Sequence, residues 1–268
     1  MRAAHWRVPG TLRREGLALR AEALSGHSKW ANIKRRKAVV DAQKGKVFSR
    51  LAREITVAAR QGGGNPEANF RLATAIERAR AENLPSGNIE RAIARGIGGG
   101  EDTNYEELQY EGYGPGGVAI LLQVMTDNRN RTAADIRHLF SKHGGSLGET
   151  GSVGWMFQRR AKVRVRAADE EELLLAAADL GADDVEPEED GSFAVYAKPE
   201  ELRPLREGLI AAGYAVITAE FTMDPTVRAE VSGDDQDKVL ALLDALDEQD
   251  DVQEVYTSAD FGDEAENA

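Results

Sequence analysis

Apolar residues recur every three or four positions through the first third of the chain, a spacing typical of helices that bury one face. Val47, Phe48, Leu51, Ile55 and Ala59 form the first such stripe. The sequence Arg60-Gln-Gly-Gly-Gly64 then interrupts the pattern. The pattern therefore predicts a helix that ends before this glycine run.

Two further helices are predicted before residue 100. Asn65-Pro66 suits an N-cap followed by proline at the first helical position, and Leu72, Ile76 and Ala79 would form the buried stripe. Pro85-Ser86 opens a shorter helix through Ile89 and Ile93, and Gly96 suits its C-terminal cap. These patterns indicate an all-α module.

From about residue 105 the pattern changes to alternating strands and helices. A buried strand is predicted over 118–124 and a helix over 132–143. A β-α-β-β-α-β series follows, with strands near 155–166, 183–187, 192–197 and 214–221 and helices over 170–180 and 199–212. Strand, helix and strand then recur over 226–231, 236–248 and 251–257. We infer a ferredoxin-like domain inserted into a second, split unit of the same type.

The predicted fold class is α+β and multidomain. An N-terminal all-α domain (25–100) precedes two ferredoxin-like α/β domains, one inserted in the other. The split domain comprises 101–154 and 223–262, and the inserted domain comprises 155–222. Residues 1–24 show little periodicity and are predicted to form a tail outside the fold.

Composition excludes several classes of protein. The 268 residues include no cysteine, which excludes disulfides, thiolate zinc sites and cysteine nucleophiles. No apolar stretch approaches the ~20 residues that span a bilayer. No continuous apolar segment near the N-terminus indicates a secretory signal, so we expect a cytoplasmic protein.

Charge is strongly segregated along the chain. Residues 1–100 carry 20 Lys and Arg against 8 Asp and Glu, whereas the remainder carries 14 against 38. The first 100 residues are therefore net +12 and the rest net −24, which gives the −12 of the whole chain. Such segregation indicates a nucleic-acid-binding module on an acidic body. The alternative is that the basic residues pair with the acidic part of the same chain.

The candidate phosphate-binding residues are concentrated in a basic run and the helix after it. Cations there would bind phosphates with release of counterions, and Trp30 would either stack on a base or anchor the helix start. The candidates are His27, Lys29, Trp30, Lys34, Arg35, Arg36, Lys37, Lys44, Lys46, Arg50 and Arg53.

A second candidate contact lies between a strand and a helix. In Thr126-Asp-Asn-Arg-Asn-Arg-Thr132, Asn128, Arg129 and Arg131 stand where free N–H groups and the helix dipole favour an anion. The alternative is that these arginines pair with acids of an adjoining domain. A third cationic group comprises Arg160, Lys162, Arg164 and Arg166 on one strand face. Its alternative is neutralisation by the nearby acids of 169–172 and 183–190.

Signals for catalysis are weak. Gly112, Gly114 and Gly117 match a dinucleotide-binding spacing but precede a strand instead of following one. His138 and His143 are five residues apart, which does not fit a helical zinc pair. We therefore predict a protein that is not an enzyme, with no cofactor and no metal.

Several long motifs resemble the YebC/PmpR family over residues 25–260. They are Gly26-His-Ser-Lys-Trp-Ala-Asn-Ile33, Gly63-Gly-Asn-Pro-Glu-Ala-Asn69, Tyr110-Glu-Gly-Tyr-Gly-Pro-Gly-Gly117, Thr126-Asp-Asn-Arg-Asn-Arg-Thr132 and Asp250-Asp-Val-Gln-Glu-Val-Tyr256. The resemblance implies a helical first domain and two α/β domains around a cleft. Family members are described as probable transcriptional regulators that bind DNA, a mitochondrial relative is a translational activator, and bacterial members are linked to ribosomes stalled on proline-rich stretches.

Two functional hypotheses follow. The first is a DNA-binding transcriptional regulator, and the second is a ribosome-associated translation factor that binds rRNA or tRNA and relieves stalling. Under either hypothesis we expect a monomer that does not bind a membrane. Members of the family normally begin with Met just before the Gly-His-Ser-Lys-Trp stretch, whereas 24 residues precede Ser25 here. We therefore expect residues 1–24 to reflect an over-long assignment of the start.

Overall fold

The computed structural model describes residues 41–98, 104–188 and 190–261. Within 41–98 the chain forms α1 (Asp41–Gly62), α2 (Phe70–Ala81) and α3 (Ser86–Ile97). The predicted stripes pack together, since Leu51, Ile55, Leu72, Ile76 and Ile89 share one buried cluster. We call residues 41–98 the helical domain.

The caps of these helices differ from the prediction at two positions. The N-cap of α2 is Asn69, not Asn65, and its Oδ1 accepts from the backbone N–H of Leu72 at 3.1 Å. Its Nδ2 donates to Ala58 O at 2.8 Å and to Gly63 O at 2.9 Å, so the buried amide also satisfies the end of α1. Because Asn69 serves both helices, residues 66–68 form a turn before α2.

Gly96 lies inside α3, and the C-cap is Gly98. A Cβ at Gly96 would lie 2.5 Å from Thr56 O and 2.8 Å from the Cβ of Ala59. The glycine thus allows α1 and α3 to approach closely, a role that the cap interpretation missed.

The chain then begins the split domain. Its first half contains β1 (Glu106–Tyr113), β2 (Ala119–Thr126), α4 (Arg129–Lys142) and β3 (Ser146–Leu147). β1 and β2 form an antiparallel hairpin. β1 has no counterpart among the predicted strands, because its polar residues hide the alternation.

The inserted domain follows the predicted series. Its elements are β4 (Phe157–Arg166), α5 (Glu170–Asp179), β5 (Asp184–Pro187), β6 (Phe193–Ala197), α6 (Leu202–Ala211) and β7 (Ala215–Pro225). The strand order β5-β6-β4-β7, antiparallel throughout, is that of a ferredoxin-like unit. Both helices cover one face through Leu173, Leu205 and Leu209.

The chain returns to the split domain through β8 (Ala229–Val231), α7 (Gly233–Glu248), β9 (Val252–Thr257) and β10 (Ala259–Phe261). The main sheet has the order β3-β1-β2-β9, and α4 and α7 pack on it around Ile136, Phe140 and Leu242. β8 leaves this sheet and pairs in parallel with β10. The α+β class with a helical first domain is confirmed, while the split sheet is connected differently from the inserted one.

We predict that Gly96→Ala destabilises the helical domain by about 1–3 kcal/mol, because the added methyl group overlaps the backbone of α1. Gly87→Ala is the matched control on the same helix, since a Cβ there would meet nothing within 4 Å. The control should stabilise the protein by about 0.5–1 kcal/mol. Thermal melting of both variants checks the prediction, and a Gly96→Ala variant as stable as the control would contradict it.

Candidate nucleic-acid interface

The cations of α1 point at the C-terminal end of α7. Arg50 donates to Asp247 Oδ1 at 3.1 Å and to Gln249 O at 3.4 Å, and it also contacts Asp247 O. Its side chain is only 13% exposed. The last carbonyls of a helix lack intrahelical donors and carry partial negative charge, so a buried guanidinium there stabilises the contact between domains.

Arg53 and Lys46 extend the same contact. Arg53 donates to Asp250 O at 2.8 Å and to Met125 O at 3.1 Å, and it lies 3.6 Å from Asp251 Oδ1. Lys46 remains exposed, but its Nζ donates to Glu248 O at 2.9 Å. Together with Arg50 these side chains attach the helical domain to the acidic body.

Asp251 connects this junction to the start of α4. The hydroxyl of Thr132 donates to Asp251 Oδ2 at 2.6 Å, and Arg131 Nη2 donates to the same oxygen at 3.0 Å. Burial acts to raise the pKa of Asp251, but the hydrogen bonds from Thr132 and Arg131 and the charges of Arg131 and Arg53 outweigh it, so this pKa lies below its ordinary value. Asp251 is therefore ionised where the junction needs its charge.

The strand-to-helix loop is held mainly by its own polar groups. Asn128 is the N-cap of α4, and its Oδ1 accepts from the N–H of Arg131 at 3.1 Å. The Arg131 guanidinium also pairs with Asp127 at 2.9 Å. Arg129 is exposed and lies beside the Tyr110 hydroxyl. Of the two arginines, Arg129 is therefore the one left to meet an external anion.

Arg78 of α2 occupies the point where the three domains meet. Its Nη1 lies 3.8 Å from Glu54 of α1 and 3.6 Å from Glu220 of β7, and its Nη2 contacts Glu254 of β9. Burial is the main cause that raises the pKa of Glu54, and the nearby Glu254 and Glu220 raise it further against the effect of Arg78. One cation thus contacts carboxylates from all three domains.

Two other ion pairs support the arrangement. Arg71 of α2 forms a bidentate pair with Glu107 of β1, at 2.9 Å for each contact. Arg206 of α6 donates to Glu77 of α2 at 2.5 Å. Such bidentate pairing fixes orientation as well as distance, so α2 is bound to both α/β domains.

The structure tests only part of the predicted set. His27, Lys29, Trp30, Lys34, Arg35, Arg36 and Lys37 lie outside the described residues, and so does the tail 1–24. Lys44 belongs to α1, but its side chain is not described. For Arg50, Arg53 and Arg131 the alternative of pairing with the acidic part of the chain describes the geometry.

Three of the four cations on the strand face of β4 also pair within the chain. Arg160 pairs with Asp224 at 3.0 Å, Lys162 with Glu188 at 2.8 Å, and Arg164 with Glu188 at 2.7 Å. For these three cations, the alternative of neutralisation by nearby acids therefore describes the geometry. Exposed helical arginines that were not among the candidates include Arg80, Arg91, Arg95 and Arg137. Their helical phase opposite the apolar stripes could have indicated them.

Comparison with known proteins decides the family. Residues 28–99 match the model described as "TACO1/YebC protein N-terminal domain", and residues 105–259 match "TACO1/YebC second and third domain". The chain belongs to the TACO1/YebC family. The resemblance found in the sequence is thereby confirmed.

Relatives in this family carry the name "Probable transcriptional regulatory protein". The one from Pelotomaculum thermopropionicum is 52% identical over 244 residues, which cover 90% of this chain and 100% of the relative. The one from Carboxydothermus hydrogenoformans is 54% identical over 245 residues, with the same coverages. These names support a regulatory role.

A solved structure has the same fold. The crystal structure of a conserved hypothetical protein from Aquifex aeolicus is 47% identical, has a TM-score of 0.81, and covers 88% of this chain and 98% of its own. None of the helices in the described part of this TACO1/YebC chain has the length and apolarity needed to cross a membrane. The described residues also contain no cluster of three or more His, Asp or Glu that could hold a metal ion.

We predict that Arg78→Met loosens the junction and destabilises the protein by about 1–3 kcal/mol at pH 8, because three carboxylates lose their shared cation. A carboxylate whose pKa is raised in the folded state regains a proton as pH falls, so the deficit should shrink towards pH 5. Arg203→Met is the matched control, since its pair with Glu207 is exposed. Melting of both variants at both pH values provides the measurement, and an equal deficit at pH 5 and pH 8 would count against the account.

Proposed function

We propose that this chain is a nucleic-acid-binding regulator that contacts DNA and controls transcription. The observation that carries the proposal is the segregation of +12 on residues 1–100 from −24 on the rest. The name shared by relatives at about half identity supports the regulatory part. The contacts of the described residues also separate cations that pair within the chain from cations that remain exposed.

In this proposal, the cations that pair within the protein are not the ones that contact nucleic acid. Arg50 and Arg53 hold the helical domain against the split domain, because each pairs with one of its carboxylates, whereas Arg131 pairs with Asp251 within the split domain. The basic run over 27–37, with Lys44 after it, supplies most phosphate contacts, whereas Lys46 is held at Glu248 O. Asn128 and the exposed Arg129 mark the second contact point.

The exposed surface of α4 extends this second contact. Arg137 and Lys142 follow Arg129 along the helix and are also exposed. Like Arg129, neither forms a salt bridge within the described part of the chain. Nucleic-acid phosphates would meet point charges here, with affinity driven by counterion release.

The acidic body limits how nucleic acid can lie on the protein. A net charge of −24 on residues 101–268 repels a duplex placed across it. Binding should therefore be confined to the helical domain, the run that precedes it and the adjoining end of α4. The same phosphate chemistry would serve rRNA or tRNA, so the test includes RNA.

We predict that replacing Lys34, Arg35, Arg36 and Lys37 with Ala weakens binding and flattens its salt dependence. Each lost phosphate contact should reduce the slope of log K against log salt by about 0.9 on duplex DNA. A control variant with Arg203→Ala and Lys238→Ala removes exposed cations of the acidic body and should leave the slope unchanged.

The measurement is fluorescence anisotropy of labelled duplex DNA and labelled tRNA. The salt concentration is varied from about 50 to about 200 mM, the range over which counterion release changes affinity strongly. An unchanged slope in the four-residue variant would show that the basic run does not bind phosphate. Binding of tRNA with no binding of duplex at physiological salt would replace transcription by the translation hypothesis.

A further inference from the structure

An exposed tryptophan stands at the entrance to the inserted domain. Trp155 lies in the short turn Gly154–Met156 just before β4, and 69% of it is exposed. A tryptophan has some 150–250 Å² of surface to bury, so one left in water is a candidate contact for another molecule.

The loop before Trp155 is fixed by a buried carboxylate. Glu111 of β1 is 5% exposed and accepts from the backbone N–H groups of Gly151 at 2.8 Å, Val153 at 2.7 Å and Gly154 at 2.6 Å. Burial acts to raise the pKa of Glu111, and the three N–H donors more than offset it, so the group stays ionised. The backbone of the loop that carries Trp155 is therefore held in place by Glu111.

The polar ends of two aromatic rings are used within the protein. Trp155 Nε1 donates to Ser152 O at 3.2 Å, and the Tyr113 hydroxyl donates to the same oxygen at 2.8 Å. Tyr113 is 36% exposed. With the polar atoms engaged, the ring surfaces are what the two side chains offer to solvent.

A cation stacked on a third ring lies a short way along β4. The Arg159 guanidinium is 3.7 Å from the centroid of the Phe221 ring, and Phe221 is 41% exposed. Arg160, Lys162 and Arg164 all have carboxylate partners, whereas Arg159 forms no salt bridge with any described residue. Its charge is thus available to an external anion.

Trp155 and Arg159 are four residues apart, so their Cα atoms are separated by at most roughly 14 Å. Stacked nucleotides are about 3.4 Å apart along one strand, so a strand of at most about four nucleotides covers this distance. We propose that the surface formed by Tyr113, Trp155, Arg159 and Phe221, here called the stacking surface, binds unpaired nucleobases.

The rings of Tyr113 and Trp155 near the Arg159 guanidinium fit this occupant, because bases stack on the two rings while Arg159, itself stacked on Phe221, meets a phosphate. A stable protein partner would instead need about 1,000 Å² of complementary interface. The exposed residues between the rings, Gln158 and Arg159, are polar. A duplex keeps its bases inside, so the proposal distinguishes single strands from duplexes. It rests on the proposed nucleic-acid-binding function and deepens it.

The chain allows a direct optical test. Its three tryptophans are Trp6, Trp30 and Trp155, so Trp6→Phe and Trp30→Phe together leave Trp155 as the sole indole. This full-length variant is titrated with labelled eight-nucleotide single-stranded DNA, single-stranded RNA and duplex DNA. Anisotropy of the label measures binding, and indole fluorescence measures stacking in the same samples.

We expect single strands to quench Trp155 and duplex to leave it unchanged. Trp155→Ala in the otherwise native chain should weaken single-strand binding by at least about fivefold, and Trp155→Phe should retain most of the affinity. Leu175→Ala is the matched control, since Leu175 is also 69% exposed, and it should have no effect. Quenching by DNA alone or by RNA alone identifies the source of the bases and supports the proposal in either case.

Single-strand binding without quenching, and with equal affinity in Trp155→Ala, would overturn the stacking surface while leaving the proposed function intact. That outcome would instead indicate that the exposed Trp155 ring contacts a protein partner. Absence of any anisotropy change with all three nucleic acids in the chain with its native tryptophans would instead overturn the proposed function itself, and the stacking surface with it.

Discussion

The arrangement of the three domains depends on the contact of Arg78 with Glu54, Glu220 and Glu254. Each of the four side chains comes from a different element, and together they connect the three domains. The three carboxylates cannot sit close together, partly buried, without a cation, because like charges and loss of water both oppose it. α2 therefore does more than complete the helical domain, since it also fixes where the other two domains lie.

Pairing with carboxylates of the same chain also accounts for much of the basic charge of the helical domain. Arg50 and Arg53 donate hydrogen bonds to carbonyl and carboxylate oxygens at and just after the end of α7, and Arg131 donates to Asp251. A count of charges along the sequence cannot separate these docking arginines from exposed ones such as Arg129. The acidic body is thus both the partner of the helical domain and a surface that excludes duplex elsewhere.

Element types followed from the sequence wherever periodicity was strong, as in the inserted domain, because one buried face imposes a period of 3.6 or 2 on each element. β1 was missed because Glu107 and Glu111 interrupt its apolar pattern, and they do so to bind Arg71 and the loop before Trp155. Likewise Asn69 and Gly96 act across helices, through contacts that no local pattern contains. The candidate site was predictable as a region, but the pairing of each arginine depends on tertiary contacts.

The central claim is that the junction between α1 and the acidic body remains closed while nucleic acid binds to cations outside it. Hydrogen exchange of the full chain with and without saturating nucleic acid tests this most directly. We predict slower exchange in peptides covering 127–142, and no change in peptides covering 247–252, where Arg50 and Arg53 dock. Faster exchange at 247–252 upon binding would contradict the claim, because it would mean that phosphates take these arginines from the junction.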